Sequence, residues 1–192
     1  MKKILLAALV FAYTAAFSQT SATTNDGKKV ILNNDGTWMY ADCAELLKTE
    51  NIRGQNMTSA KEKVVVANGA GGLSIDLIKG SSAVMINFSP ADREVICVGT
   101  KAPMNVEFTD GTKITVTHMG KLNCEGNFSL FLGESVGTDK ELELFKTKTI
   151  KKISIEYSKS ENGSLVNYSR DSDFTADKAE KMRNIIKCLS NI

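Results

Sequence analysis

Apolar and polar positions alternate most strictly over residues 104–119, where two runs flank Thr109-Asp110-Gly111. A two-residue Asp110-Gly111 loop would set Phe108 opposite Lys113 and mix the two faces. A three-residue loop sets Phe108 opposite Thr112, Val106 opposite Ile114 and Met104 opposite Val116, with Glu107 against Lys113 on the other face. A one-residue slip reverses every side chain, so the pattern predicts the three-residue register, with Gly111 left-handed. Residues 28–41 read the same way around Asn34-Asp35-Gly36, pairing Leu32 with Trp38, Val30 with Tyr40 and Ile31 with Met39.

Further strand-like runs fall at 63–67, 73–79, 83–89, 93–98, 127–132, 141–145 and 149–158. A final hairpin turns near Asn162-Gly163, and a 160–163 loop would pair Tyr157 with Val166 and Ile155 with Tyr168. Asp42 and Glu45 have capping-box spacing, which predicts a short helix over 42–50, followed by a polar connector at 51–59. Ala179, Met182, Ile185, Ile186 and Leu189 recur at helical spacing behind the cap Thr175, predicting an amphipathic helix at 176–190. The expected fold is a mainly β, antiparallel β-sandwich or barrel-like domain with an N-terminal β-hairpin and a C-terminal amphipathic helix. Its divisions are a leader at 1–18, the hairpin, short helix and connector at 19–60, and the sandwich at 61–192.

The leader alters the charge reading. Lys2 and Lys3 precede an apolar run that ends at Ala16-Phe17-Ser18, the layout of a signal peptide cleaved before Gln19. The chain has 24 basic and 22 acidic residues, so losing Lys2 and Lys3 leaves the mature protein formally neutral. A neutral chain with dispersed charge has no electrostatic footprint for nucleic acid. No later segment approaches transmembrane length, so no membrane span is expected after signal removal, and the destination is periplasmic or secreted. In an oxidising compartment Cys43, Cys97, Cys124 and Cys188 can form disulfides in three connectivities. Cys97 with Cys124 is the preferred pair because they bracket the 104–119 hairpin, and a buried free thiol at Cys97 is the competing reading.

The segment Asp26-Gly-Lys-Lys-Val-Ile-Leu-Asn-Asn-Asp-Gly-Thr-Trp-Met-Tyr40 resembles the "DGTW" segment of many small exported bacterial proteins of unknown function. The resemblance covers about fifteen residues. It implies export and a β start, and it assigns no catalytic residue.

Candidate chemistry is sparse. His118 is the single histidine, and the hairpin register turns it to the apolar face with Ile114 and Val116, which favours a structural role over a general base. The glycines at 69–72 lack the following helix of a phosphate loop. Asp171, Asp173 and Asp177 lack the central Gly and distal Glu of a calcium loop, and Glu134, Asp139, Glu141 and Glu143 are fixed by no spacing. No cofactor or metal is expected. Trp38 and Tyr40 remain as candidate ligand-binding residues, against the reading that Trp38 merely docks its hairpin. The expected function is a non-enzymatic exported module binding a protein or glycan partner. A hydrolase with a carboxylate-based site and a structural part of an envelope assembly are the alternatives.

Overall fold

The computed structural model describes residues 20–25, 27–32, 36, 38–52, 54–68, 71–92, 95–162 and 164–192, so the expected leader and the Asn34-Asp35 turn lie outside the described residues. In chain order the elements are β1 (Thr20–Thr23), β2 (Lys29–Leu32), β3 (Trp38–Tyr40), α1 (Ala41–Leu46), β4 (Leu47–Ile52), β5 (Gln55–Ala60), β6 (Val64–Asn68), β7 (Gly71–Lys79) and β8 (Val84–Pro90). They continue with β9 (Pro103–Phe108), β10 (Lys113–Thr117), β11 (Phe128–Leu132), α2 (Asp139–Thr147), β12 (Ile150–Glu161), β13 (Ser164–Asp173) and α3 (Ala176–Ser190). The strands form three antiparallel sheets, ordered β1-β2-β3, β10-β9-β12-β13 and β11-β8-β7-β5-β4, with β6 also paired to β7.

Both hairpins read from alternation have the predicted registers. Val106 faces Ile114, Met104 faces Val116 and Glu107 faces Lys113, while Phe108 N–H donates to Thr112 O at 2.9 Å and Gly111 has φ of 85°. In the N-terminal sheet Leu32 faces Trp38, Val30 faces Tyr40 and Ile31 faces Met39. The polar stretch before this hairpin adds β1, paired along β2.

Elsewhere local patterns misdirect. The predicted 42–50 helix stops at Leu46, and Asp42 makes no cap, because Tyr40 occupies the N-cap position without a side-chain cap bond. The expected connector is instead the β4–β5 hairpin, whose exposed hydroxyls and amides pair across the strands, Thr49 with Thr58 at 2.9 Å and Asn51 with Asn56 at 3.1 Å. Residues 141–145, read as a strand from Glu-Leu-Glu-Leu-Phe, belong to α2. Acidic Asp139 and Glu141 favour its first turn, Lys146 its last, and Glu143 bonds Lys146 at 2.6 Å. The β12–β13 loop is two residues shorter than expected, so Tyr157 faces Tyr168 and Ile155 faces Arg170. Of the described residues 95–98, Cys97 and Val98 make bridges, to Ser158 and Asn123, in place of the expected strand.

One apolar cluster unites the sheets. Met104, Val106 and Phe108 of β9 and Ile153 and Ile155 of β12 join Ile75 and Leu77 of β7 and Ile86 and Phe88 of β8. The predicted stripe of α3 supplies Met182, Ile185, Ile186 and Leu189, and the helix packs along β4–β8. Phe145 of α2 meets Phe108 edge-on, ring centroids 6.0 Å apart. All four cysteines are bonded: Cys97 to Cys124, the preferred pair, and Cys43 of α1 to Cys188 of α3, 145 residues away. Cys97 is therefore not a free thiol, and the two crosslinks suit an oxidising environment.

Two outcomes follow. Replacing Cys43 and Cys188 by Ser should lower unfolding free energy by about 3–5 kcal/mol in urea titrations, because the bond closes most of the chain into one loop. Asp110, in the β9–β10 loop, is held down to about 2 by the Lys148 ammonium and by the Thr112 amide and hydroxyl. A depressed folded value means its contribution is complete above the unfolded value near 4 and is lost as pH falls toward 2. Asp110→Asn should lower the melting temperature near neutral pH and flatten its fall across that window.

Candidate functional site

The β2–β3 pairing dictates a side-chain ledge. Register places Leu32 beside Trp38, and the two-residue strand period puts Tyr40 on the same face. Val30 and Met39 are buried, which docks the hairpin, but Leu32 stays 40% and Trp38 45% exposed. The rings of Trp38 and Tyr40 meet edge-on at 5.4 Å, and Lys28 Nζ lies 5.3 Å from the Tyr40 ring centre. The hairpin is thus anchored by Val30 and Met39, and Trp38 is partly exposed beside them.

Tyr40 is also one wall of a cleft of about 910 Å³. Its opposite faces come from distant parts of the chain. Asp42 and Glu45 project from α1, Asn184 and Lys187 from α3 and Asn191 from its C-terminal cap, and Lys28 and Lys29 from the approach to and start of β2. The Cys43–Cys188 bond lies at the junction, since both cysteines line the cleft and fix α1 against α3. The arrangement offers one exposed indole face beside a recess with carboxylates, amides and ammonium groups. It can stack a flat apolar face and hydrogen-bond many hydroxyls at once.

Only Trp38 and Tyr40 of this set were legible as candidates. Asp42 and Glu45 have the spacing of a cap, and their real role as a cleft wall depends on α3 lying opposite. Asn184 and Asn191 flank Cys188 at helical spacing, so the connectivity of Cys188 is the signal that would have found them.

The remaining candidates are engaged elsewhere. A hollow of about 530 Å³ on the outer face of the four-stranded sheet holds Asn105, Glu107, Lys113, Thr115, Lys152 and Asp171. Glu107 pairs there with Lys151 and Lys113, Lys152 with Asp171, and Thr115 bonds Asn105 at 2.6 Å. Asp177 accepts a hydrogen bond from Thr175, which pulls its carboxyl below the usual range. Among the described residues no three metal-ligating side chains gather, and no helix is long and apolar enough to cross a membrane.

His118 is 4% exposed, and both ring nitrogens are used. Ser129 N–H donates to Nδ1 at 2.9 Å, which fixes the hydrogen on Nε2, and Nε2–H donates to Lys121 O at 3.0 Å. The ring therefore ties β11 to the loop after β10 and offers no nitrogen to a nucleophile. Comparison with protein-family models, curated proteins and solved structures finds no match for the chain. His118→Ala should lower stability by about 2–3 kcal/mol in urea unfolding, through loss of the buried ring and of its bonds to two partly buried backbone groups, while any ligand binding at Trp38 is retained.

Proposed function

We propose that the chain is an exported, non-enzymatic module that binds a glycan through the Leu32–Trp38–Tyr40 ledge and the cleft behind it. The observation that carries this reading is Trp38, held 45% exposed on a docked strand against Tyr40, which lines a cleft of hydrogen-bonding side chains. A sugar ring matches both halves. Its apolar face stacks on indole, and its hydroxyls meet Asp42, Glu45, Asn184 and Asn191. A partner protein would use the ledge as an anchor, yet the polar recess suits hydroxyl groups better than an apolar side chain. Export rests on the leader and on two disulfides that suit an oxidising compartment.

Hydrolysis is the alternative that the cleft invites, because it contains two carboxylates. Asp42 and Glu45 stand one turn apart on α1 and so share a wall, whereas a glycosidase sets its pair on either side of the bond, about 5–10 Å apart. The facing wall of α3 has amides and Lys187. An assembly built by strand addition would use β13, ten residues long at a sheet edge, but Arg170 and Asp171 there are already ion-paired and β6 lies against it.

Purified mature protein screened against envelope and extracellular polysaccharides should retain at least one of them. Trp38→Ala should weaken that retention roughly tenfold or more with an unchanged melting temperature, the size expected for losing an aromatic stacking partner. Retention unaffected by Trp38→Ala, or no retention of any sugar, removes the reading.

A further inference from the structure

A second surface stands apart from the ledge, where the loop 95–102 before β9 meets the loop 118–127 after β10. The two segments are fastened at several points. His118 N–H donates to Ala102 O at 2.8 Å, Val98 and Asn123 exchange backbone hydrogen bonds of 2.8 and 3.2 Å, and the Cys97–Cys124 disulfide crosslinks them. Within the second loop the Asn123 side chain accepts Asn127 N–H at 2.9 Å and donates to Asn127 O at 2.8 Å. The His118 ring holds Lys121 O. Gly120 lets the chain pass close over that ring, since a Cβ there would lie 2.6 Å from His118 Cε1.

This well-fixed scaffold holds large apolar side chains in water. Val95 is 76% exposed, Leu122 65% and Met119 40%. The three lie on two loops that the disulfide and the Val98–Asn123 bridge fasten together, and large apolar side chains exposed on a fixed scaffold mark an interaction surface. Lys101 and Lys121 are also exposed there, and neither is in an ion pair among the described residues. Lys113, Lys148, Lys151 and Lys152 on the adjoining sheet and its loops are all paired. The Glu125 carboxylate accepts from the Asn127 amide at 2.9 Å, and Glu156 lines a small hollow beside Lys101. The two loops therefore carry two ammonium groups, Lys101 and Lys121, and one carboxylate, Glu125, which leaves them net positive. That combination complements a surface which is apolar inside and negative at its boundary.

We propose that this loop pair docks on the surface of an anionic phospholipid bilayer. Val95, Met119 and Leu122 enter the boundary of the acyl chains, and Lys101 and Lys121 meet the headgroup phosphates. The disulfide and His118 keep the tip in one shape, so little ordering is required when it docks. Docking of this kind is reversible, because so few side chains insert. It is independent of sugar binding and would hold the module at a membrane with the ledge free.

Co-sedimentation with vesicles of phosphatidylcholine and phosphatidylglycerol tests this, with every protein sample sharing one N-terminus. The mature chain should bind mixed vesicles, bind less at high salt, and bind pure phosphatidylcholine more weakly. Leu122→Asp with Val95→Asp should reduce binding roughly tenfold or more, and Lys101→Glu with Lys121→Glu should remove the salt dependence. These positions are exposed, so melting temperature should hold. Trp38 is the single tryptophan, so a Trp38→Phe, Leu122→Trp chain reports on the tip alone, and its emission should shift to the blue on mixed vesicles. No vesicle binding, binding indifferent to Leu122→Asp and Val95→Asp, or a tryptophan at 122 that stays in water overturns the proposal. A soluble protein captured through the tip in place of vesicles would overturn it equally.

Discussion

Strict two-residue alternation along β9 is the constraint on which the structure depends. Its inward row, Met104, Val106 and Phe108, is almost wholly buried and enters the shared core. Its outward row, Asn105 and Glu107, bonds Thr115 on one neighbour and Lys113 and Lys151 on both. With β10 on one side and β12 on the other, a one-residue slip would bury Glu107 and expose Phe108. The register of this strand therefore fixes the positions of the loops at both of its ends. One of those ends presents Val95 and Leu122, and the other positions Asp110 against Lys148.

What could be read locally was read correctly where one face alone is buried and the turn chemistry agrees. The β9–β10 hairpin meets that condition, while in the β2–β3 hairpin, where Val30 and Met39 are buried on opposite faces, the turn residues set the register. The β12–β13 hairpin does not, because a shift of two residues keeps every side chain on its face, so Ile155, Tyr157, Val166 and Tyr168 satisfy either pairing. Only the loop decides, and Asn162 adopts φ of 51°, the left-handed conformation of a tight turn. In β4 and β5 there is little apolar alternation to detect, since cross-strand polar bonds hold the pair. In α2 the short window Glu141 to Phe145 mimics a strand, and the helix becomes evident only when Asp139 and Lys146 are counted with it.

The candidate site divides along the same line. Trp38 and Tyr40 lie two residues apart on one strand, so their shared face follows from strand geometry. The cleft walls come from residues separated by most of the chain, and no local pattern connects Asp42 with Asn184. The buried role of His118 was anticipated by face, but its partners, Ser129 and Lys121, come from the loop and strand that follow.

The Cys43–Cys188 bond bears on how the chain is made. Synthesis delivers the N-terminal residues first, and Cys188 follows Cys43 by 145 residues. Cys43 therefore waits as a thiol while Cys97 and then Cys124 emerge, each able to capture it in a non-native pair. The native bond forms only after α3 has emerged and docked, so the cleft cannot mature before the rest of the fold is complete. Any early pairing of Cys43 with Cys97 or Cys124 must be undone by thiol exchange before the native bond can form, and the cleft with its disulfide marks a finished molecule.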